Sequence, residues 1–142
     1  QRTIFGHYTK CSHFNFQNRR LVCSCPVQKR LFFGRFVLFE TSNPRHAHEW
    51  TVFRDRSAEI PDDKILVPGV VDTTTNFVEH PELVAQRLER FVNIVGADRV
   101  IAGSDCGFGT FAGFGAVDPD IAYAKLASLV EGAKLTSSRL GV

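Results

Sequence analysis

The sequence has no long apolar run: none of its hydrophobic stretches could cross a bilayer as a helix, and no membrane association is expected. Its opening residues, QRTIFGHYTKCSHF, lack the continuous apolar segment of a secretory signal. There is no internal repeat and no low-complexity tract, which excludes repeat arrays. The chain starts at Gln1 rather than Met, so a fragment or processed chain is the expectation. Acidic residues are missing from residues 1–35, which carry seven Lys or Arg. The remainder holds ten bases and fifteen acids, a net of −5. A basic, aromatic-rich arm could contact nucleic acid or an acidic surface. An atypical terminus is the favoured reading, and nucleic acid is disfavoured.

What is there suits a globular domain. The 142 residues are 44% hydrophobic and 23% charged, enough for one buried core. Four cysteines could form two disulfides, but Cys23 and Cys25 stand too close for an easy mutual bridge. Reduced or metal-bound thiols in the cytoplasm are the favoured reading.

From Gly34 onward the pattern is regular. RFVLFE, residues 35–40, reads as a strand ending in a carboxylate, and TSNPRHAHEW begins as a loop. ILVPGVV, residues 65–71, reads as a second strand that bends or ends at Pro68-Gly69. Pro81 opens a helix whose apolar positions recur at three-to-four spacing and which Gly96 closes. RVIAG, residues 99–103, reads as a third buried strand, and a last helix runs from about Asp118 to Arg139. Strands alternating with helices imply an α/β fold with a parallel sheet. Three strands are too few for a complete domain, so part of a barrel or doubly wound sheet is expected.

In parallel α/β folds the chemistry gathers at the carboxyl ends of the strands. Glu40 ends the first strand, Asp72 follows the second, and Ser104-Asp105-Cys106 follows the third. On position alone, each could equally be a capping carboxylate or an inert thiol. His46-Ala47-His48-Glu49 could share a metal, although it lacks the spacing of a helical His-Glu-x-x-His site, and a structural histidine reads as well. Arg45 could bind a substrate carboxylate. Gly107, Gly109 and Gly113 lie in GFGTFAG, which has neither a dinucleotide fingerprint nor a Walker loop. Clearance over a site is the preferred reading there.

Taken together, FETSNPRHAHEW, VPGVVDTTTNFVEHPELVAQRLERF, VIAGSDCGFGTFAG and YAKLASLVEGAKL resemble the C-terminal domain family of cobalamin-independent methionine synthase. They are nearest to its methionine-synthase-like and epoxyalkane:coenzyme M transferase relatives, over about residues 37–140. The resemblance implies the C-terminal portion of a (βα)8 TIM barrel. It also implies zinc-dependent transfer of a methyl or alkyl group to a small-molecule thiol, with Zn2+ as cofactor. Glu40 in FETS and Cys106 in SDCGF match two of the family's zinc ligands. On that reading Asp105 and Asp72 are the catalytic candidates, behind the metal or facing substrate, and Arg45, His46, His48 and Glu49 contact substrate.

Two departures stand out. The family's His-x-Cys pair has no counterpart: only Cys11-Ser-His13, reversed, and Cys23-Ser-Cys25 have that spacing. Residues 1–35 look unlike the family, with an abrupt change near Gly34, so they are set apart from residues 36–142 as a segment foreign to it. Thr74 stands where the methionine synthases proper carry a histidine acid, and that role is not transferred to His80. The competing reading is an inactive or metal-binding fragment that interacts through its basic arm. A metal-free decarboxylase-like barrel is a third reading, against which the FETS and SDCGF pair argues.

Overall fold

The computed structural model describes residues 14–15, 22–23, 34–109 and 117–142. Most of the basic segment, with Cys11, Cys25, His7 and His13, lies outside the described residues, as does Gly113. Within that segment only a short antiparallel pair is described, β1 (Phe14–Asn15) with β2 (Val22–Cys23).

The remainder is three successive strand–helix units. The strands β3 (Phe36–Glu40), β4 (Ile65–Val71) and β5 (Gly103–Ser104) form a parallel sheet in chain order. The helices α1 (Trp50–Asp55), α2 (Pro81–Val95) and α3 (Pro119–Leu140) follow them in turn. The mixed α/β class and the parallel pairing agree with the sequence reading. Two short 3-10 turns, Ser57–Glu59 and Ala97–Arg99, and the six-residue α1 carry no periodicity long enough to be read from the sequence.

The expected helices form where their end signals stand. The His80 side chain accepts from the Glu82 N–H and Pro81 occupies the first turn of α2. Asp118 caps α3 in the same way, ahead of Pro119. Gly141 ends α3 at φ 72°, a left-handed conformation that glycine adopts without strain.

The second strand corrects one expectation, because β4 runs straight through Pro68 and Gly69. Backbone bonds explain how. Ile65 and Gly69 bond toward β3, while Leu66 accepts from Ile101 on the β5 side. By alternation Pro68 turns its missing N–H toward β5. The third strand is correspondingly interrupted: Leu66 bridges Val100, and regular pairing resumes only at Gly103. The expected run 99–103 is therefore a bridge and a two-residue strand.

Gly69 serves a different purpose from a bend. A Cβ there would lie 2.5 Å from Asp105 Cα and 2.7 Å from Asp105 N. The chain after β5 thus passes directly over β4, which only glycine permits.

Two apolar clusters cover the helix side of the sheet. Val37, Phe53, Ile60, Leu66, Phe91 and Val95 form one; Val70, Val71, Val84 and Leu88 form the other. Phe39 stacks on Phe53 at 4.5 Å and meets Phe91 edge-on at 5.2 Å. On the opposite face Phe36 and Leu38 stay exposed, at 47% and 65%. The Val37–Phe39 side thus packs on helices, while Phe36 and Leu38 on the other side are left largely uncovered by the described residues.

Candidate functional site

The register brings three candidates to one edge. Glu40 pairs with Gly69 and Gly69 with Gly103, so Glu40, Asp72 and Asp105-Cys106 all leave the sheet at its carboxyl end. There the Cys106 thiol donates to Glu40 Oε1 at 3.5 Å, across 66 residues of sequence. The other carboxylate oxygen, Oε2, faces His46 Nε2 at 3.9 Å. His46 Nδ1 in turn meets Glu49 Oε1 at 2.8 Å. Four of the residues singled out in the sequence thus form one line: Cys106, Glu40, His46, Glu49.

Asp105 holds this line in place. Its Oδ1 accepts from the N–H groups of Thr41 (3.0 Å) and Ser42 (3.3 Å), and its Oδ2 from the Asn43 N–H (3.1 Å) and the Ser42 hydroxyl. Burial pushes the Asp105 carboxyl above the ordinary aspartate range, while these four bonds act the other way by favouring the ionised form. The residue beside Cys106 therefore grips the loop that leaves Glu40 and carries His46.

Asp72 is engaged locally. Its side chain accepts from the Thr74 N–H and hydroxyl, both at 2.7 Å, and from Thr75 at 3.4 Å, closing the turn after β4. Arg45 and His48 are exposed on the 41–50 segment, with Arg45 N–H donating to Asn43 Oδ1 at 3.0 Å. They share a loop with His46 and enter none of these ion pairs.

Sequence reasoning missed four residues beneath the edge. Glu79 accepts from Asp72 N–H (2.7 Å) through one oxygen and from the fully buried Lys125 (2.9 Å) through the other. The Ser128 hydroxyl donates to the Glu79 carbonyl. Arg87 donates to the Val70 carbonyl at 2.7 Å and reaches the Ser42 carbonyl at 3.5 Å. Burial lowers the Arg87 pKa, with Glu79, Asp105 and Asp72 opposing that fall. Lys125 was hard to single out, because its position in α3 fits a surface face as well as a buried one. The one signal available was a charged residue inside an otherwise apolar helical stripe.

Zinc can be tested against the donors present. Two ligands at about 2.3 Å (sulfur) and 2.0 Å (oxygen) from one tetrahedral ion would stand about 3.5 Å apart. The Cys106–Glu40 separation meets this. Among the described residues, no three His, Cys, Asp or Glu side chains already converge on one point. The pair therefore meets the spacing of two zinc ligands, and the described residues by themselves form no metal site. No described helix is long and apolar enough to cross a membrane.

No protein-family model matches the chain. It is 35% identical over 81 residues to 2-hydroxypropyl-CoM lyase of Xanthobacter autotrophicus, covering 57% of this chain and 20% of that protein. The chain thus spans about a fifth of the length of this curated relative. A B12-independent methionine synthase from Shewanella sp. W3-18-1, solved in complex with selenomethionine, superposes with a TM-score of 0.53 at 20% identity. That match covers 74% of this chain and 27% of the other. The chain is therefore similar in sequence to an epoxyalkane:coenzyme M transferase relative and shares its fold with part of a B12-independent methionine synthase.

Proposed function

We propose that this chain is part of a zinc-dependent enzyme that transfers a methyl or other alkyl group to a small-molecule thiol, in the manner of methionine-forming chemistry. The observation that carries the reading is the 3.5 Å approach of Cys106 Sγ to Glu40 Oε1 at the carboxyl edge of the sheet. Support also comes from the sequence match to a CoM lyase and from the shared transferase fold. On this reading the three βα units are the last part of a (βα)8 barrel, the protein works in the cytoplasm, and its partners are a thiol and an alkyl donor.

Zinc, when bound, would lower the pKa of a coordinated thiol and keep it as thiolate near neutral pH. Glu40 and Cys106 would hold the metal. Asp105 would keep Glu40 and Cys106 in register through the Thr41–Asn43 loop, and Asp72 would shape the turn facing the substrate. Arg45 and His48, exposed on the same loop as His46, would meet an anionic part of the substrate. In the reaction the sulfur lone pair forms the new C–S bond as the donor's bond to that carbon breaks. The bonding pair leaves with the donor, and the proton lost by the thiol balances the one the departing group takes up.

Metal analysis of the full chain tests this. One zinc per chain, lost in Cys106→Ser and in Glu40→Gln, is the expected result. A chain that binds no zinc overturns it and leaves the second reading, an inactive or metal-binding fragment acting through its basic arm.

A further inference from the structure

Helix α3 carries an exposed face at odds with its surroundings. Tyr123, Leu126 and Val130 are spaced to share one side of the helix and are 73%, 40% and 50% exposed. Ala127, between them, is exposed as well. The opposite side buries Lys125, Ser128, Gly132 and Thr136. Lys125 and Ser128 bond to Glu79, and Gly132 lies against Val84 of α2. The flank with Leu129 and Ala133 packs on the apolar core. An ordinary surface helix turns its charges outward, whereas this one turns out a tyrosine, a leucine and a valine. We infer that this stripe of α3 is the contact surface between two copies of the chain, packed antiparallel about a two-fold axis at Ala127. The inference is independent of the reaction proposed above.

The charges beside the stripe select a second copy as its occupant. Asp120 and Lys134 are exposed and stand about four turns apart, so both lie next to the apolar side chains. The ion pairs of α3 are those of Lys125 and Arg139, and neither Asp120 nor Lys134 enters one among the described residues. Ala127 lies midway between them in the chain. In an antiparallel pair with its two-fold axis at Ala127, each residue faces the position equally far beyond Ala127 on the other helix. Asp120 then meets Lys134 of the second copy, and symmetry forms that ion pair twice. Tyr123 falls opposite Glu131 of the second copy, an exposed carboxylate able to accept from its hydroxyl. Ala127 faces itself, and its small side chain lets the axes approach to about 8 Å, the near end of helix packing. A parallel pair would instead set Asp120 against Asp120 and Lys134 against Lys134.

The two flanks of the stripe agree with this register. At about 100° per residue, Asp120, Glu131 and Lys134 all fall on one flank of Tyr123, and Leu126 and Val130 on the other. A two-fold axis perpendicular to both helices brings each flank against its own counterpart. Charged side chains therefore meet charged ones along one border of the contact, and apolar side chains meet apolar ones along the other. Such a contact buries the exposed leucine and valine without burying an unpaired charge.

Sedimentation velocity of the full chain over a concentration series tests the inference. The expected result is a monomer–dimer equilibrium that moves toward dimer as concentration rises. Val130→Glu should abolish the dimer by placing a charge in the apolar flank. Lys134→Asp should weaken it by about tenfold or more, because two ion pairs become two repulsions. Adding Asp120→Lys to Lys134→Asp restores both pairs with their signs exchanged, and association should return toward the wild-type value. Lys134→Gln, which removes the charge without reversing it, repeats the test if circular dichroism shows the reversed variant to be poorly folded. A chain that stays monomeric at every concentration overturns the inference. So does a dimer that persists in both Val130→Glu and Lys134→Asp, which would place the contact elsewhere, as on the exposed Phe36 and Leu38 face. A charge-exchanged double variant that associates no better than Lys134→Asp overturns the antiparallel register.

Discussion

Asp105 and Lys125 are the two residues on which the candidate edge depends. Asp105 accepts four hydrogen bonds from the loop after β3. Asp105→Asn keeps the shape but replaces one acceptor oxygen with a donor facing other donors. We expect a loss of about 1–3 kcal/mol, read from the urea midpoint at constant slope. Lys125 is fully buried against Glu79, whose side chain is itself 9% exposed. Removing one partner of such a pair strands the other charge. Lys125→Met should thus cost about 3–5 kcal/mol, and Lys125→Met with Glu79→Gln measurably less. An additive double mutant would show that the two charges do not act as a pair. The place of Glu40 and Cys106 at the strand ends was legible in the sequence, whereas these supporting contacts were not. Aspartate at a strand end reads as catalytic whether its oxygens face substrate or backbone.

The elements meet with little room to spare. Gly132 of α3 lies against α2, where an added Cβ would fall 2.5 Å from Val84 Cβ and 2.8 Å from the Pro81 carbonyl. Gly132→Ala should force the helices apart and cost about 1–3 kcal/mol, although alanine is the better helix former. A stabilised variant in thermal unfolding would disprove this close packing. At the far end of α3, Arg139 joins Glu82 and Glu89 of α2. Arg139 holds the Glu82 carboxyl below its ordinary range. A lowered folded pKa means that the ion pair supports the fold above the ordinary glutamate range. Its contribution is lost as pH falls through the still lower folded value. Arg139→Gln should therefore flatten the acid limb of the stability profile and leave the wild type and variant alike at the acid extreme. Helix boundaries were readable because Pro81, Gly96, Asp118 and Pro119 act locally. Strand β5 was not, because its interruption is caused by Pro68 on another strand.

At the scale of the molecule, the described residues cover the sheet with helices on one face and leave apolar side chains exposed on the other. Val37 is 2% exposed on the helix side, while Leu38 and Ile101 remain 65% and 47% exposed. Among the described residues β3 pairs only with β4, leaving its outer edge without a strand. Such a surface should bind a hydrophobic dye. Leu38→Lys is expected to lower that fluorescence while shifting stability by no more than about 0.5 kcal/mol, as exposed sites do. Unchanged dye binding would mean that this face is covered in solution.

By itself the sequence determined the α/β alternation, the two long helices with their ends, and the carboxyl edge at which Glu40, Asp72 and Cys106 gather. All three follow from local propensity, apolar periodicity and the general geometry of parallel sheets. Only the tertiary structure decided which of these groups meet. It set Cys106 against Glu40, turned His46 toward the same carboxylate, and gave Asp105 to the backbone of the neighbouring loop. These contacts span up to 66 residues of chain. They depend on strand register and on the passage of Asp105 over Gly69, and no local pattern encodes a distance between strands.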